Sequence, residues 1–243
     1  MEENDILKIK QELRLKVWKI MEEARIVRFP GAQGRIPNFI GAERAAGKVA
    51  RLEIWQKANI VKCNPDSPQQ PLRKLALEKG KIVYMAVPRL TKNKCFIELH
   101  PSRVQGKYDR AASIKGAFEL GKPVTPDLMR KPAIIVAGSV AVNIKGARIG
   151  KGGGFSDLEY AIAREFNLVS EETPIITTIH KLQLIEEEIP MTEHDIPVDF
   201  IITPDKIIKT EKSYNKPAGI IWKLLDKEKI KNIPILKELK NEK

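Results

Sequence analysis

Residues 145–166 read KGARIGKGGGFSDLEYAIAREF and follow an almost wholly apolar run, AIIVAGSVAV, at 133–142. An unbroken apolar run of this length is typical of a strand that is buried on both faces of a parallel sheet. Ser156 and Glu159 have the spacing of a capping box and predict a helix over 156–166. The residues between the two elements are rich in glycine. We therefore predict a buried strand, a glycine-rich loop and a helix in succession.

The loop between this strand and this helix has the composition of a phosphate site. Its glycines allow positive φ angles and close backbone approach to a ligand, and the free N–H groups of a helix N-terminus favour an anion. Arg148 can bind phosphate oxygens with two N–H groups, and Lys151 adds a point charge. The loop matches neither a Walker A sequence nor GxGxxG. We predict phosphate binding; the alternative is a flexible turn without a ligand. The four glycines are Gly150, Gly152, Gly153 and Gly154.

Predicted strands and helices alternate along the rest of the chain. Apolar residues at helical spacing predict a helix over 4–25, whose polar side carries Lys10 and Arg14 one turn apart. Further helices are predicted at 42–58, 71–79 and 156–166, and strands at 59–63, 81–88, 96–99, 133–142, 175–179 and 200–203. This alternation predicts an α/β fold, a three-layer α/β/α domain with a mostly parallel sheet. We assign the domain to 1–208 and interpret 209–243 as a basic C-terminal arm packed on it.

The composition excludes several classes of protein. The chain has 243 residues, 42% hydrophobic and 30% charged, which is typical of a globular fold. No apolar run approaches the roughly 20 residues that span a membrane, and no secretory signal is visible, so we expect no membrane association and a cytoplasmic location. Two cysteines form neither a disulfide framework nor a zinc site. The net charge of +12 suits a polyanionic ligand but is also typical of solvated lysine-rich surfaces, and no RNA-binding motif accompanies it.

The glycine-rich loop also carries a family resemblance. RIGKGGGFSD at 148–157 resembles the RxGxGGGYYD signature of the 5-formyltetrahydrofolate cyclo-ligase family, and the similarity extends over nearly all of residues 8–235. Three further segments resemble a subgroup, the methenyltetrahydrofolate synthetase domain-containing proteins, whose animal members carry an added RNA-recognition domain. These segments are RIPNFIGAERAA at 35–46, VKCNPDSP at 61–68 and KPAGIIW at 216–222.

The resemblance implies a fold and a reaction. The fold is a three-layer α/β domain of the NagB/RpiA/CoA-transferase-like type. The reaction uses ATP and Mg²⁺ to convert 5-formyltetrahydrofolate into 5,10-methenyltetrahydrofolate, ADP and phosphate. A formamide oxygen is a very poor leaving group, and its phosphorylation lets the N10 amine close the ring. Such an enzyme mainly needs to position phosphates and neutralise charge, which agrees with the lack of a nucleophilic triad in the sequence.

The resemblance also assigns site residues. Arg148 and Lys151 would act in catalysis, and Asp157 and Asp199 would hold Mg²⁺. The residues that would contact ATP are Lys10, Arg14, Arg148, Gly150, Lys151, Gly152, Gly153, Gly154 and Phe155. Ordinary alternatives exist for each acidic and basic pair: Asp157 as a first-turn helix carboxylate, Asp199 as the entry to a strand, and Lys10 with Arg14 as the solvated face of a helix.

Three departures fall in the folate half of the predicted site. The paired aromatics of the signature are Phe155 and Ser156 here, and the arginine that follows it is Leu158. The family's folate-binding glutamate should fall near SPQQPL, where Gln69 or Gln70 could bond a pterin without supplying charge. We take Gln69, Gln70 and Phe155 as substrate-binding candidates. This pattern points to a paralogue whose substrate has changed, and it leaves a folate, a methanopterin-type compound and a thiamine-related compound all open.

Other polar candidates have simpler interpretations. His194 and Asp195 are adjacent in a predicted extended segment and should point to opposite faces, so we expect His194 on the surface or at a cap. His100 and His180 have no partner at ligand spacing, and Cys63 is expected in the core. The tryptophans, which we also expect in packing roles, are Trp18, Trp55 and Trp222.

Three functions therefore remain open. The leading one is an ATP-dependent cyclo-ligase-like enzyme that acts on a reduced folate or related pterin. The second is a nucleotide-binding protein without that activity. The third is an RNA-associated protein, which the net charge permits but does not favour. The sequence leaves the oligomeric state open.

Overall fold

The computed structural model describes residues 3–241, so residues 1–2 and 242–243 of the predicted domain and arm lie outside the described part. Its larger sheet has eight strands in the order β10-β9-β8-β5-β1-β2-β3-β4, of which the five from β9 to β2 are parallel and the outer ones antiparallel. The strands are β1 Ile60–Cys63, β2 Ile82–Ala86, β3 Phe96–Leu99, β4 Lys122–Val124, β5 Ile134–Val136, β6 Ala141–Val142, β7 Arg148–Ile149, β8 Ile175–Thr178, β9 Phe200–Ile202 and β10 Ile207–Lys209. Strands β6 and β7 form a separate antiparallel pair.

Helices cover both faces of this sheet. They are α1 Glu3–Glu23, α2 Ala42–Val49, α3 Glu53–Lys57, α4 Gln70–Glu78, α5 Tyr108–Ala112, α6 Ile114–Leu120, α7 Phe155–Glu165, α8 Lys227–Asn232 and α9 Pro234–Asn241. Alternate residues of β2 belong to two hydrophobic clusters: Val83 packs with α1, α2 and α4 on one face, and Tyr84 with α7 and α9 on the other. The side chains of a strand alternate between faces, so the sheet separates two cores. The predicted three-layer α/β fold is confirmed.

Several predicted boundaries are wrong for physical reasons. The helix predicted over 42–58 is two helices, because Leu52 is extended at φ −71° and ψ 130°. Val49 and Trp55 would lie about 120° apart around one continuous helix, whereas the break lets both be buried in the same cluster. The strand predicted over 133–142 also divides. The chain leaves the large sheet after Val136, and the Gly138 N–H donates to Asn64 Oδ1 rather than to a neighbouring strand.

The C-terminal arm packs on the face that α7 covers. Leu236 is fully buried in the cluster that also contains Leu158 and Ile162 of α7. Glu238 accepts a hydrogen bond from Asn93 Nδ2 at 2.7 Å, which ties α9 to the loop after β2. Within residues 3–241, no helix is both long and apolar enough to cross a membrane.

Candidate functional site

A cleft of about 420 Å³ lies at the carboxyl ends of the central parallel strands. Asn64 and Asp66 follow β1, Arg89 follows β2 and Gly138 follows β5, and all four line this cleft. The order in which strands are added to the sheet reverses between β1 and β5, because β2 lies on one side of β1 and β5 lies on the other. Open α/β sheets bind ligands at such a position. The fold therefore places the glycine-rich loop, which enters the same cleft, where a ligand is expected.

The glycine-rich loop ends in a helix N-terminus whose backbone donors are free of protein partners. Gly152 and Gly154 have φ values of +105° and +66°, and Gly154 is the N-cap residue of α7. Across the described chain, no protein acceptor pairs with the backbone N–H of any residue from Gly152 to Asp157. Several of these residues line the cleft. Six successive donors at a positive helix end form the kind of surface that binds phosphate.

The predicted capping box is wrong. Ser156 Oγ donates to Asn64 Oδ1 at 3.2 Å rather than capping the helix, and α7 has no side-chain N-cap bond. Glu159 is 4% exposed and forms a buried ion pair with Lys62, while Asn64 Nδ2 donates to the same carboxylate at 3.0 Å. Because both polar side chains have long-range partners, the N-terminal amides of α7 are left unbonded.

Of the two basic residues of α1, Arg14 contacts the loop and Lys10 pairs with Asp195. Arg14 Nε donates to the Gly150 carbonyl at 2.7 Å, and a Cβ on Gly152 would lie 3.7 Å from Arg14 Cζ. Burial lowers the pKa of Arg14, and Arg148 adds to this, while Asp195 opposes it. Lys10 Nζ bonds Asp195 Oδ2 at 2.5 Å. The solvated-face alternative is therefore excluded for this pair, since Lys10 and Arg14 are only 6% and 7% exposed.

The Arg148 guanidinium donates hydrogen bonds to three groups of the protein itself. Its Nη1 donates to the Gly138 carbonyl at 2.9 Å, its Nε to the Ile196 carbonyl at 3.3 Å and its Nη2 to Asp157 Oδ1 at 2.5 Å. With 2% exposure, this guanidinium joins three segments of the cleft wall. Its predicted contact with phosphate stays a prediction. In this arrangement Arg148 has a structural role: it is a buried side chain that positions the loop and Asp157.

Lys151 and Phe155 lie at the open side of the cleft. Lys151 Nζ bonds Asp66 Oδ1 at 2.9 Å, and its side chain is half exposed, so it can turn to another anion at little cost. Phe155 lines the cleft beside the loop glycines. The structure thus brings the loop, Arg14, Arg148, Lys151 and Phe155 together, while Lys10 pairs with Asp195. The contact of these residues with ATP stays a prediction.

The structure does not bring the two predicted metal ligands together. Asp157 lines the cleft at the start of α7, and its Oδ1 also accepts from the Ile196 N–H at 3.0 Å. Asp199 precedes β9 and accepts from the Ile175 N–H, so it lies at the amino-terminal edge of the sheet, opposite the cleft. Lys216 pairs with it at 2.9 Å. Among the described residues, no cluster of three metal-ligating side chains occurs. Asp199 is therefore removed from the candidate metal site.

Neither predicted substrate glutamine lines the cleft, but Gln69 is buried directly behind Gly138, which does. Gln69 is fully buried, and its Nε2 lies 3.4 Å from Thr178 Oγ1. Its Oε1 is buried without a hydrogen-bond partner in the described part of the chain, and a Cβ on Gly138 would lie 3.2 Å from it. Gln70 begins α4 and is not part of the cleft wall. A buried oxygen without a protein partner needs another donor, and an ordered water or a ligand group could supply it.

Sequence reasoning missed a buried polar cluster beneath the loop. Lys62 lies within the apolar strand β1, and among residues 3–241 its ion-pair partner is Glu159, 97 residues away. Burial raises the pKa of Glu159, and Lys62 opposes that shift. A lysine inside a buried strand was the available signal, because such a charge requires a buried partner. Asp66, Arg35 and Arg89 were also missed, and Arg89 adopts the left-handed region at φ +57°.

The other candidates take packing or surface roles. Trp18 and Trp55 are buried and Trp222 is half-buried, as expected. Cys63 is buried, which raises the pKa of its thiol to about 11. His194 lies against Thr192 Oγ1, and its neighbour Asp195 points into the protein toward Lys10.

The fold and the cleft define an α/β protein with a glycine-rich loop of unbonded backbone donors at the switch point of a mostly parallel sheet. The chain belongs to the 5-formyltetrahydrofolate cyclo-ligase family, whose model matches residues 7–204. It is 42% identical to a methenyltetrahydrofolate synthase domain-containing protein of Danio rerio, over 95% of this chain and 61% of that protein. The corresponding Homo sapiens protein is 37% identical over the same shares. The chain thus spans about three fifths of the length of these curated relatives.

A solved structure shows the same fold. The NMR structure of Aquifex aeolicus 5,10-methenyltetrahydrofolate synthetase matches with a TM-score of 0.51 and 20% identity, covering 85% of this chain and 95% of that one. The family model stops at residue 204, whereas the similarity to the Danio rerio protein covers 95% of the chain and therefore extends into the arm. The identification from the loop signature is confirmed.

Proposed function

We propose that this chain is an ATP- and Mg²⁺-dependent enzyme of the cyclo-ligase type, acting on 5-formyltetrahydrofolate or a related reduced pterin. The observation that carries the proposal is the run of unbonded backbone N–H groups from Gly152 to Asp157, which borders a cleft lined by Lys151 and Arg148. Family membership supplies the reaction class. The geometry supplies what that reaction needs, a surface that neutralises and positions phosphate.

Each part of the loop would have a distinct task in holding a nucleotide. The amides of Gly152–Asp157 would donate to phosphate oxygens, and Lys151 would exchange Asp66 for phosphate. Arg14 and Arg148 would keep the loop in place through the Gly150 and Gly138 carbonyls. Mg²⁺ commonly takes one or two carboxylates together with phosphate oxygens and water. Asp157, with Oδ1 fixed by Arg148, would contribute one such carboxylate.

Bound ATP would supply the phosphoryl group that converts the formyl oxygen into a leaving group. The residues of this chain would then serve by orientation and charge. The loop would hold the negative charge in a fixed position, so that little reorganisation is needed during reaction. Gln69 Oε1 would accept a hydrogen bond from a ring N–H of the pterin. Arg35 and Arg89 at the cleft wall would meet carboxylates of the substrate.

A direct assay tests the activity. Purified protein is mixed with 5-formyltetrahydrofolate and Mg-ATP, and the absorbance of the methenyl product is followed. We expect product only when ATP and Mg²⁺ are both present, and less of it with Lys151→Met. A matched control is Lys145→Met, which alters an exposed lysine paired with Glu188 on the surface. No product with 5-formyltetrahydrofolate or with a panel of reduced pterins would refute the activity.

Gln69 favours a second candidate, a nucleotide-binding protein without cyclo-ligase activity. The family's charged folate-binding glutamate has no acidic counterpart at residues 67–72. Absence of product, together with a rise in melting temperature on adding Mg-ATP, would favour this candidate.

We also propose a reducing, cytoplasmic setting, because both cysteines are buried free thiols.

A further inference from the structure

The C-terminal arm brings a lysine to the N-terminus of α7. Lys229, in α8, has its Nζ 5.9 Å from the centre of the Phe155 ring. A Cβ on Gly154, the N-cap residue of α7, would lie 3.2 Å from the same Nζ. This lysine therefore stands directly beside the unbonded amides of the loop. It lies 25 residues beyond the end of the region that the family model matches, which stops at residue 204.

The position of Lys229 is electrostatically unfavourable without an anion. A helix N-terminus carries partial positive charge and repels a cation, and Gly154 at this helix end lines both the cleft and the smaller cavity that Lys229 borders. Within residues 3–241, no carboxylate lies within ion-pair distance of Lys229, whereas other arm lysines such as Lys216 have one. The face of Phe155 gives only a weak compensating attraction. A cation held at a positive helix end indicates that a negative group belongs between them.

The arm holds Lys229 in place through apolar contacts on both sides, which are half-buried before it and buried after it. Before it, Leu224 and Leu225 meet Leu158 and Ala161 of α7 around a cavity of about 60 Å³. After it, Ile233 and Leu236 are buried in the core cluster of that face. The lysine is thus attached to a short helix that is fixed at both ends, which reduces the entropy lost when it binds a ligand.

We propose that Lys229 is a phosphate-contacting residue of the site, supplied by the arm rather than by the cyclo-ligase domain. This inference rests on the proposed function, because the phosphate in question is that of the nucleotide or of inorganic tripolyphosphate bound at the loop. The arm would then do more than cover α7. It would add one cation to a site in which Arg148 is already committed to the protein.

Calorimetry with Mg-ATP and with inorganic tripolyphosphate tests the assignment on four proteins: wild type, Lys229→Met, Lys229→Arg and Lys227→Met. We expect Lys229→Met to weaken binding of both ligands about tenfold, the scale of one charge-assisted hydrogen bond. Lys229→Arg should restore most of the affinity. Lys227→Met removes an exposed charge from the same helix and should change the affinity less than twofold. In turnover, Lys229→Met should raise KM for ATP more than it lowers kcat.

Two failures can be told apart. If wild type binds both ligands and Lys151→Met weakens them, but Lys229→Met binds as wild type does, the role of Lys229 is refuted and the proposed function stands. If wild type binds neither ligand, both fall. Equal weakening by Lys229→Met and Lys227→Met would also overturn the inference, because it would show a diffuse charge effect. Melting curves of all variants establish that each is folded.

Discussion

The substitution Arg148→Met distinguishes two roles for the buried arginine, which are direct binding of phosphate and structural support of the cleft wall. The substitution keeps most of the side-chain volume but removes three hydrogen bonds, to the Gly138 and Ile196 carbonyls and to Asp157. Arg148 is 2% exposed, so the Asp157 carboxylate and both carbonyls would lose a partner that water replaces poorly. Breaking a buried ion pair from one side costs about 3–5 kcal/mol. We expect the free energy of unfolding to fall by about that amount.

Urea denaturation followed by circular dichroism measures this loss. Lys145→Met is the control, since it breaks the ion pair with Glu188, in which both side chains are exposed, and it should leave stability nearly unchanged. Mg-ATP calorimetry is then run on folded Arg148→Met. A large loss of affinity for Mg-ATP, with the free energy of unfolding unchanged within about 1 kcal/mol, would refute the structural role. It would indicate that Arg148 binds phosphate directly.

Further predictions concern the loop and two buried carboxylates. Gly152→Ala should lower the free energy of unfolding by about 1–2 kcal/mol, because φ is +105° there. The control is Gly47→Ala, which changes a helical glycine with open space around it and should not lower stability. Equal denaturation midpoints for the two variants would contradict the prediction. The pKa of Asp195 is lowered, since Lys10 and Thr192 outweigh the effect of burial, so its contribution is present above pH about 4 and lost on acidification. Asp195→Asn should flatten the acid limb of a stability–pH profile, and an unaltered limb would count against the ion pair. Asp199→Asn should reduce stability but leave the Mg²⁺ dependence of nucleotide binding unchanged, and a shifted Mg²⁺ titration would return Asp199 to the site.

Local patterns were enough to predict the elements that the site uses. The helical spacing of apolar residues in 4–25 correctly places Lys10 and Arg14 on one side of α1, and the apolar run at 133–142 correctly contains the central strand β5. The glycines of 150–154 correctly mark the turn into α7. These features depend on neighbours within a few residues, which is the information that periodicity and turn chemistry carry.

Long-range partners could not be obtained in this way. The spacing of Ser156 and Glu159 fits a capping box, but both side chains are drawn to Asn64 and Lys62 on β1. Asp199 precedes a strand, and only the sheet topology shows that this end lies opposite the cleft. Desolvation inside the core decided these pairings, because a buried lysine must find a carboxylate wherever the fold supplies one.

The most direct test of the account is a titration of ¹⁵N-labelled protein with Mg-ATP and with tripolyphosphate, followed by amide chemical shifts. We expect large, saturable shifts at Gly152, Gly153 and Gly154 and at the first residues of α7, with the same pattern for both ligands. Shifts that saturate elsewhere while these amides stay unchanged would contradict it.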